Sequence, residues 1–314
     1  MINRKVGIIG VGAVGATAAY TLAIDGTCNE IVLFDIANGI AKGKAIDIAQ
    51  ASYYTKTQTD IYAVDKIEDM TNCDIVVITA GVPRKGDMSR ADLLMVNAKI
   101  IKDVASKIAI SSPNSIIICV SNPLDIMTYV VQKITKWDRS RIMGMAGALD
   151  GSRMAYQIAK KTGLNLSQTG SLVIGDHGEN MIPLPHRVSV ADVPLTDLLT
   201  DEDFEDIILK TKKGGAEIVS YLGTSGYYGP GMAIAHMVES ILYDNKAVVP
   251  TSVILDGEFG YKDVSVGVPI ILGKNGVEKI IEIKLKDETK EKLDISVASI
   301  KEGIAILEKN NFFE

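Results

Sequence analysis

The sequence lacks the features that mark disulfide-rich or metal-binding proteins. Its 314 residues include three cysteines and three histidines. Cys28, Cys73 and Cys119 are too widely spaced to form a metal-ligand motif. Cys119 lies in the apolar run 116–120, where a buried thiol is the ordinary state. We therefore expect no metal site, and a reducing compartment such as the cytoplasm.

The chain also lacks a basic block and an apolar run long enough to span a bilayer. Its net charge of -6 argues against nucleic acid and anionic membrane as partners. The first predicted strand begins almost at Met1, which leaves no room for a signal or transit peptide. A small anionic substrate is still compatible with this charge, because arginines can be gathered locally.

A glycine-rich turn between a strand and a helix stands near the start of the chain. The turn reads Gly10-Val11-Gly12-Ala13-Val14-Gly15. If a dinucleotide binds here, Gly10 permits the tight turn, Gly12 lets the backbone approach a pyrophosphate, and Gly15 lets the helix pack closely on the sheet. The open N–H groups and the dipole of the helix then face the phosphates.

The next predicted strand, 31–34, ends at Asp35, twenty residues after Gly15. A carboxylate there can accept hydrogen bonds from the ribose hydroxyls and would repel a 2′-phosphate, which favours NAD over NADP. The alternative is a merely tight strand–helix turn. The strand, the helix and the acid together favour the dinucleotide interpretation.

Strands and helices alternate through the first half, as in parallel doubly wound sheets. We predict helices over 41–51 and 91–109 and strands over 60–63, 74–79 and 116–120. Later segments are predicted as strands over 171–174, 248–255 and 265–272 and as a charged helix over 289–309. The composition changes to Met and Gly around 141–147. We therefore expect an α/β fold with an N-terminal Rossmann dinucleotide-binding domain, 1–145, and a C-terminal α+β catalytic domain, 146–314.

For several residues of the first half, an ordinary structural role and a contact with a ligand are both compatible with the sequence. Gly81 follows a buried strand and either forms a tight turn or lies beside a ligand. Asn122 either caps a helix that begins at Pro123 or contacts a ligand. Asn97, on the long helix, would be a solvated position on its pattern alone.

In the second half, Asp150 is a plausible N-cap of a helix that runs to about residue 161. Arg153 would then oppose the dipole in the first turn at a cost of about 0.3–1 kcal/mol, so it is either a surface arginine or lies near an anion. His177 is flanked by glycines, although a loop histidine judged alone is more often non-catalytic. His186 is interpreted as a surface residue, and His236, in an apolar helix, as a packing residue.

Taken in order, five motifs resemble the L-lactate and L-malate dehydrogenase family over nearly the whole chain. They are the glycine turn, the polar loop from Arg84 to Arg90, Ser121-Asn122-Pro123, the pair Asp150 and Arg153, and Gly175-Asp176-His177-Gly178. Within the family, the chain looks most similar to the lactate dehydrogenase-like malate enzymes of bacteria and archaea.

The resemblance implies hydride transfer between NAD and a 2-hydroxy acid. His177 matches the acid/base of the family, Asp150 its partner and Arg153 the clamp for the substrate carboxylate. Arg90 matches the loop arginine that polarises the carbonyl, and Asn122 a donor to the substrate oxygen.

On the cofactor side, Val120 matches a residue beside the nicotinamide, and Asn97 a position that contacts NAD. Gly81 and Asn122, each just after a predicted strand, complete the implied cofactor contacts. Relatives form dimers or tetramers, so the resemblance also implies a homo-oligomer.

Arg84 indicates the substrate. Lactate enzymes usually have a neutral residue at the matching place, whereas malate enzymes have an arginine that pairs with the second carboxylate of oxaloacetate. The implied substrate is therefore a small dicarboxylate. Another 2-hydroxy acid is the alternative within the same chemistry, and a non-catalytic NAD-sensing protein is the alternative from another class. A sensor, however, has no need of Asp150, Arg153 and His177 together.

The chain departs from the common family pattern at two places. The loop reads Lys85-Gly86-Asp87 where Lys-Pro-Gly is common, and Glu179-Asn180 follows Gly178 where Asp-Thr is common. The first departure bears on the stiffness and closing rate of the loop. The second leaves the acid/base residue unchanged.

Overall fold

The structure, a computed structural model, describes residues 4–83 and 89–314. Its first half contains six parallel strands, which are β1 (Lys5–Ile9), β2 (Glu30–Phe34), β3 (Asp60–Ala63), β4 (Ile75–Ile78), β5 (Ile116–Cys119) and β6 (Ile142–Gly144). They lie in the order β6-β5-β4-β1-β2-β3. The central strands β4 and β5 are continuous apolar runs that are buried along their whole length. Such runs form strands covered on both faces, so the predicted Rossmann fold is confirmed.

Four helices cover this part of the sheet: α1 (Ala13–Asp25), α2 (Asn38–Ala51), α3 (Arg90–Ser111) and α4 (Leu124–Thr135). Ser89 begins α3 with a capping box, because its hydroxyl accepts from the N–H of Asp92 while the Asp92 carboxylate accepts from the N–H of Ser89. This cap places Arg90 in the first position of the helix. The strand predicted over 60–63 is observed with those bounds.

The second half supplies four helices and seven short or long strands among the described residues. In chain order they are α5 (Gly147–Thr162), β7 (Val173–Ile174), β8 (Ile182–Pro183), β9 (Ser189–Val190), β10 (Val193–Pro194), α6 (Asp201–Leu222), α7 (Tyr228–Leu242), β11 (Ala247–Asp256), β12 (Lys262–Gly273), β13 (Gly276–Ile280) and α8 (Asp287–Lys309). The small sheets β7-β8 and β9-β10 are antiparallel.

The two halves share one sheet. Strand β11 pairs antiparallel with β6, with Gly144 opposite Ser252 and Met143 opposite Val253. Strands β12 and β13 then extend the sheet to nine strands. One apolar core also runs through both halves, so the two halves are packed as one continuous structure.

Two local predictions, on the start of α5 and on the packing of His236, are wrong, and one of the two alternatives for Asn122 is excluded. Helix α5 begins at Gly147, so Asp150 is its fourth residue rather than its N-cap, and Arg153 is its seventh rather than a first-turn residue. Helix α4 begins at Leu124 with Pro123 as its N-cap residue, so Asn122 does not cap it. His236 is exposed rather than packed, because it lies on the outer side of α7.

Two other expectations are confirmed. His186 is exposed. Cys119 is buried, and burial raises the pKa of its thiol to about 12; Cys28 and Cys73 are buried as well. Across residues 4–83 and 89–314, none of the helices combines the length and the apolar character that a membrane crossing requires.

Candidate active site

A cleft of about 560 Å³ opens at the carboxyl ends of β1, β2 and β4. Gly10, Gly12, Asp35 and Gly81 line it together with the side chain of Lys99. Parallel doubly wound sheets bind ligands at this edge, where the loops after adjacent strands separate.

The glycine turn brings β1, β4 and α1 closer together than other residues allow. Gly10 has a φ of +92°, and a Cβ atom built on it would lie 2.6 Å from the backbone nitrogen of Ala80. A Cβ on Gly15 would lie 2.1 Å from the carbonyl oxygen of Gly10. At Gly12, by contrast, a Cβ would meet no atom within 4 Å. No side chain therefore covers the backbone at Gly12, so a pyrophosphate can approach it closely.

Asp35 is fixed by the backbone on both sides. Its Oδ2 accepts from the N–H of Val11 at 2.7 Å, and its Oδ1 accepts from the N–H of Ala37 at 2.9 Å. The first bond ties the end of β2 to the glycine turn. Ala13 and Val14 then begin α1, whose first N–H groups have no partner within the helix. The arrangement fits the adenosine and pyrophosphate of NAD.

Asn97 joins the loops that follow β4 and β5. Its Oδ1 accepts from the N–H of Val82 at 2.9 Å, and its Nδ2 donates to the carbonyls of Val82 at 3.2 Å and Asn122 at 2.7 Å. The side chain is only 1% exposed, so the prediction of a solvated position is wrong. Buried loop backbone needs polar partners, and Asn97 supplies them. Val120 also lies here, with its N–H donating to Ile78 at 2.9 Å.

Three predicted residues of the second half form a chain of charged groups. His177, on the connection between β7 and β8, has its Nδ1 2.7 Å from Oδ2 of Asp150. The other carboxylate oxygen of Asp150 accepts from Nη1 of Arg153 at 2.9 Å. The carboxylate holds the proton of the neutral imidazole on Nδ1, which leaves Nε2 for a substrate.

Burial alone would lower the pKa of His177, because it disfavours the charged imidazolium. The carboxylates of Asp150 and Asp125 outweigh this effect and raise the pKa above its usual value of 6.5. The raised pKa favours the protonated imidazole, which is the form that donates a proton in carbonyl reduction.

Arg153 packs against α6, where two consecutive glycines leave room for it. A Cβ on Gly215 would lie 3.3 Å from Nη2 of Arg153, and one on Gly214 would lie 3.6 Å from its Cδ. The Nε of Arg153 is buried and has no hydrogen-bond partner within the described part of the chain. A buried guanidinium N–H without an acceptor fits the approach of an anion.

The predicted substrate residues are only partly brought together. Arg90, Asn122 and His177 line one cleft of about 370 Å³, between α3, α4 and the β7–β8 connection. Arg153 lines a separate cleft of about 230 Å³ between α5 and α6. Arg90 reaches across its cleft to Glu179, with Nη2 2.8 Å from Oε1, and both side chains are exposed. Arg84 lies outside the described residues.

Asp125 belongs to this site but is not among the residues predicted from the sequence. It lines the same cleft, and its Oδ2 accepts from the backbone N–H of His177 at 2.8 Å. An acidic residue in the first turn of a helix has an ordinary explanation in the helix dipole, so its position near His177 left no local signal. Its place three residues after Asn122 was the available clue.

Comparison with known proteins identifies both halves. The family model for the lactate/malate dehydrogenase NAD binding domain matches residues 4–144, and the model for the lactate/malate dehydrogenase alpha/beta C-terminal domain matches residues 147–310. Malate dehydrogenase from Sulfurimonas denitrificans is 50% identical over 99% of this chain and 98% of its own length.

Solved structures agree with these matches. Malate dehydrogenase from Salinibacter ruber superposes with a TM-score of 0.93 at 38% identity, covering 97% of this chain and 98% of that one. Lactate dehydrogenase from Cryptosporidium parvum, solved with lactic acid and NAD, has a TM-score of 0.93 at 36% identity, covering 98% of this chain and 99% of that one. The fold alone therefore does not distinguish the two substrates.

Proposed function

The chain belongs to the lactate/malate dehydrogenase family, and from this membership we propose that it catalyses the reversible oxidation of L-malate to oxaloacetate. The observation that carries the chemistry is the contact between the buried carboxylate of Asp150 and the half-buried ring of His177, with Arg153 held beside it. When bound, NAD would accept the hydride in the direction of malate oxidation. The glycine turn and Asp35 are the residues that would hold it.

We assign the proton step to Nε2 of His177. In malate oxidation the neutral ring accepts the hydroxyl proton, and in oxaloacetate reduction the imidazolium donates a proton to the carbonyl oxygen. Asp150 orients the ring and stabilises the imidazolium through the Nδ1 contact. Asn122 lines the same cleft and is our candidate donor to the substrate oxygen.

We assign the carboxylates of the substrate to the arginines. Arg153 is the proposed partner of the carboxylate beside the reacting carbon, because Asp150 contacts both it and His177 and because its Nε lacks an acceptor. Arg90 is the proposed group that polarises the carbonyl. Its present pairing with Glu179 is solvent-exposed, and exposed pairs contribute only about 0–1 kcal/mol, so a substrate in a closed site can displace Glu179. Arg84 is the proposed partner of the second carboxylate.

The reaction is tested by following NADH oxidation with oxaloacetate and with pyruvate in parallel. We expect oxaloacetate to be the better substrate. Preference for pyruvate would assign the chain to lactate-type chemistry, and no turnover with either, combined with tight NADH binding, would favour a sensor.

Cofactor choice gives a separate prediction. Because Asp35 would face the 2′-phosphate of NADP, we expect NADH to be strongly preferred, and Asp35→Ser to narrow the preference by at least about tenfold. The ratio of kcat/KM for NADH and NADPH measures this effect. Asp60→Ser, at the exposed start of β3, is a matched control that should leave the ratio unchanged. Equal use of both cofactors by the unmodified protein would contradict the role of Asp35.

We further propose that the NAD-binding domain spans residues 1–145, that the catalytic domain spans residues 146–314, and that the protein works in the cytoplasm as a homodimer or homotetramer. Free buried thiols support the reducing compartment. Exposed aromatic side chains support self-association, since the adjacent residues Tyr53 and Tyr54 are 83% and 89% exposed. Light scattering on the purified protein tests the oligomer.

A further inference from the structure

Asp125 is a buried carboxylate to which the proposed reaction assigns no role. It is the second residue of α4 and is 5% exposed. Its Oδ2 accepts from the backbone N–H of His177 at 2.8 Å, and its Oδ1 accepts from the hydroxyl of Ser252 on β11 at 2.6 Å. Its backbone carbonyl accepts from the hydroxyl of Ser265 on β12. The residue therefore joins a helix of the first half to the catalytic segment of the second.

The residues before His177 are held by neutral groups. Gly175 exchanges two backbone hydrogen bonds with Gly267 on β12, at 2.9 and 3.0 Å. The N–H of Asp176 donates to the hydroxyl of Ser296 on α8. A neutral acceptor is thus sufficient to hold a buried N–H in this segment. At His177 the acceptor is instead a buried carboxylate, and burying a charged group costs free energy. A neutral acceptor would hold the backbone N–H without this cost, so the negative charge of Asp125 must serve a further purpose.

We propose that Asp125 is a positioning residue that holds the backbone of His177 and supplies a second negative charge, beside that of Asp150, in favour of the protonated imidazole. In this role Asp125 favours the protonated form of His177 and does not contact the substrate. The proposal rests on the proposed function only in taking His177 as the acid/base, since the charge effect on the ring exists whether or not the protein turns over malate.

The proposed role requires that the carboxylate of Asp125 is ionised. Burial raises its pKa to about 6, and the hydrogen bonds from Ser252 and from the backbone of His177 oppose that rise. The carboxylate is therefore mostly ionised at neutral pH. On the side of β11 and β12, the groups that contact Asp125 are the neutral hydroxyls of Ser252 and Ser265. Within the described part of the chain, the other ionisable groups around this pair are Asp150 and Arg153 on α5, Asp176 and Glu179 beside His177, Lys212 on α6, Arg90 on α3 and the thiol of Cys119 on β5.

The decisive variant is Asp125→Asn. Its amide oxygen can still accept from the N–H of His177, and its amide group can donate to Ser252, so the geometry is kept while the charge is removed. We expect the pKa of His177 to fall by about 0.5–1 unit, less than the 1–3 units of a carboxylate in direct contact with the titrating group. NMR titration of the imidazole measures it in the intact protein, and the resonance is assigned with His177→Asn.

The kinetic consequence has opposite signs in the two directions. Reduction of oxaloacetate needs the imidazolium, so above the pKa its kcat/KM should fall by about 3- to 10-fold. Oxidation of malate needs the neutral ring, so below the pKa its kcat/KM should rise by about the same factor. Damage to the structure would lower both directions together. An unchanged pKa of His177 with both rates reduced would overturn the proposal.

Two further variants complete the test. Asp263→Asn is the matched control, because Asp263 accepts from Tyr129 of α4 at 3.1 Å but lies on β12 away from His177, and we expect no change in either measurement. Ser252→Ala removes the hydrogen bond that keeps the pKa of Asp125 down, so the pKa of His177 should fall in the same direction by a smaller amount. If Asp125→Asn does not fold, this second variant decides, and an unchanged His177 pKa there overturns the proposal. If the titrations shift as expected while no 2-hydroxy acid is turned over, the proposed function fails and the inference on Asp125 stands.

Discussion

Replacing His177 by Asn is expected to lower turnover of oxaloacetate by about 100- to 10,000-fold, the usual contribution of a positioned acid/base. Asparagine cannot gain and lose a proton, whereas the imidazole held by Asp150 at 2.7 Å can. Folding should be largely kept, because the backbone N–H that Asp125 accepts is present in both residues. NADH binding should also be kept, since the glycine turn and Asp35 lie in a different cleft.

Turnover is measured under saturating NADH, and NADH binding by fluorescence titration. His186→Asn and His236→Asn are matched controls, because both histidines are exposed and lie outside the cleft. They should leave turnover unchanged. Near-normal turnover in His177→Asn would mean that another group moves the proton. Asp150→Asn should reduce turnover in the same direction as His177→Asn, because an uncharged partner no longer stabilises the imidazolium.

Replacing Arg84 by Gln is expected to change the preference for oxaloacetate over pyruvate by at least about tenfold. The second carboxylate of oxaloacetate loses water when it is enclosed, and a guanidinium replaces those hydrogen bonds with charge-assisted ones worth on the order of 2–5 kcal/mol. Pyruvate has a methyl group there, so an enclosed Arg84 would lack a counter-ion. The variant should therefore lose efficiency with oxaloacetate and gain it with pyruvate.

The ratio of the two kcat/KM values is the quantity to measure, because a general loss of activity in the variant affects both substrates alike and cancels. Lys85→Gln removes the neighbouring positive charge without removing the guanidinium, so it should change the ratio far less. A ratio that is unaltered in Arg84→Gln, or an unmodified protein that already prefers pyruvate, would refute the assignment of Arg84.

The sequence predicted best what depends on local chain geometry. The glycine turn and Asp35 are close in sequence, and their spacing encodes one strand–turn–helix unit whose contacts the structure shows directly, from the φ of Gly10 to the hydrogen bond between Asp35 and Val11. The parallel strands could likewise be recognised from short runs of apolar residues.

What the sequence did not predict depends on contacts between distant segments. Asn97 is polar on a helix, which predicts solvent, yet the loops after β4 and β5 bury it for their own hydrogen bonds. Asp150 resembled a helix cap because acidic residues favour that position, whereas α5 begins three residues earlier. Asp125 meets His177 only because α4 and the β7–β8 connection pack together, which no pattern within either segment encodes.

The pairing of β6 with β11 also bears on how the chain can fold and be divided. Neither half alone would have a finished sheet, because cutting between them exposes the edge of β6 at Met143 and Gly144. An uncovered apolar strand edge is a template for aggregation. The chain should therefore unfold as one cooperative unit, and a fragment that ends at residue 145 should need a partner strand to stay soluble, although its nucleotide cleft is built entirely from its own residues.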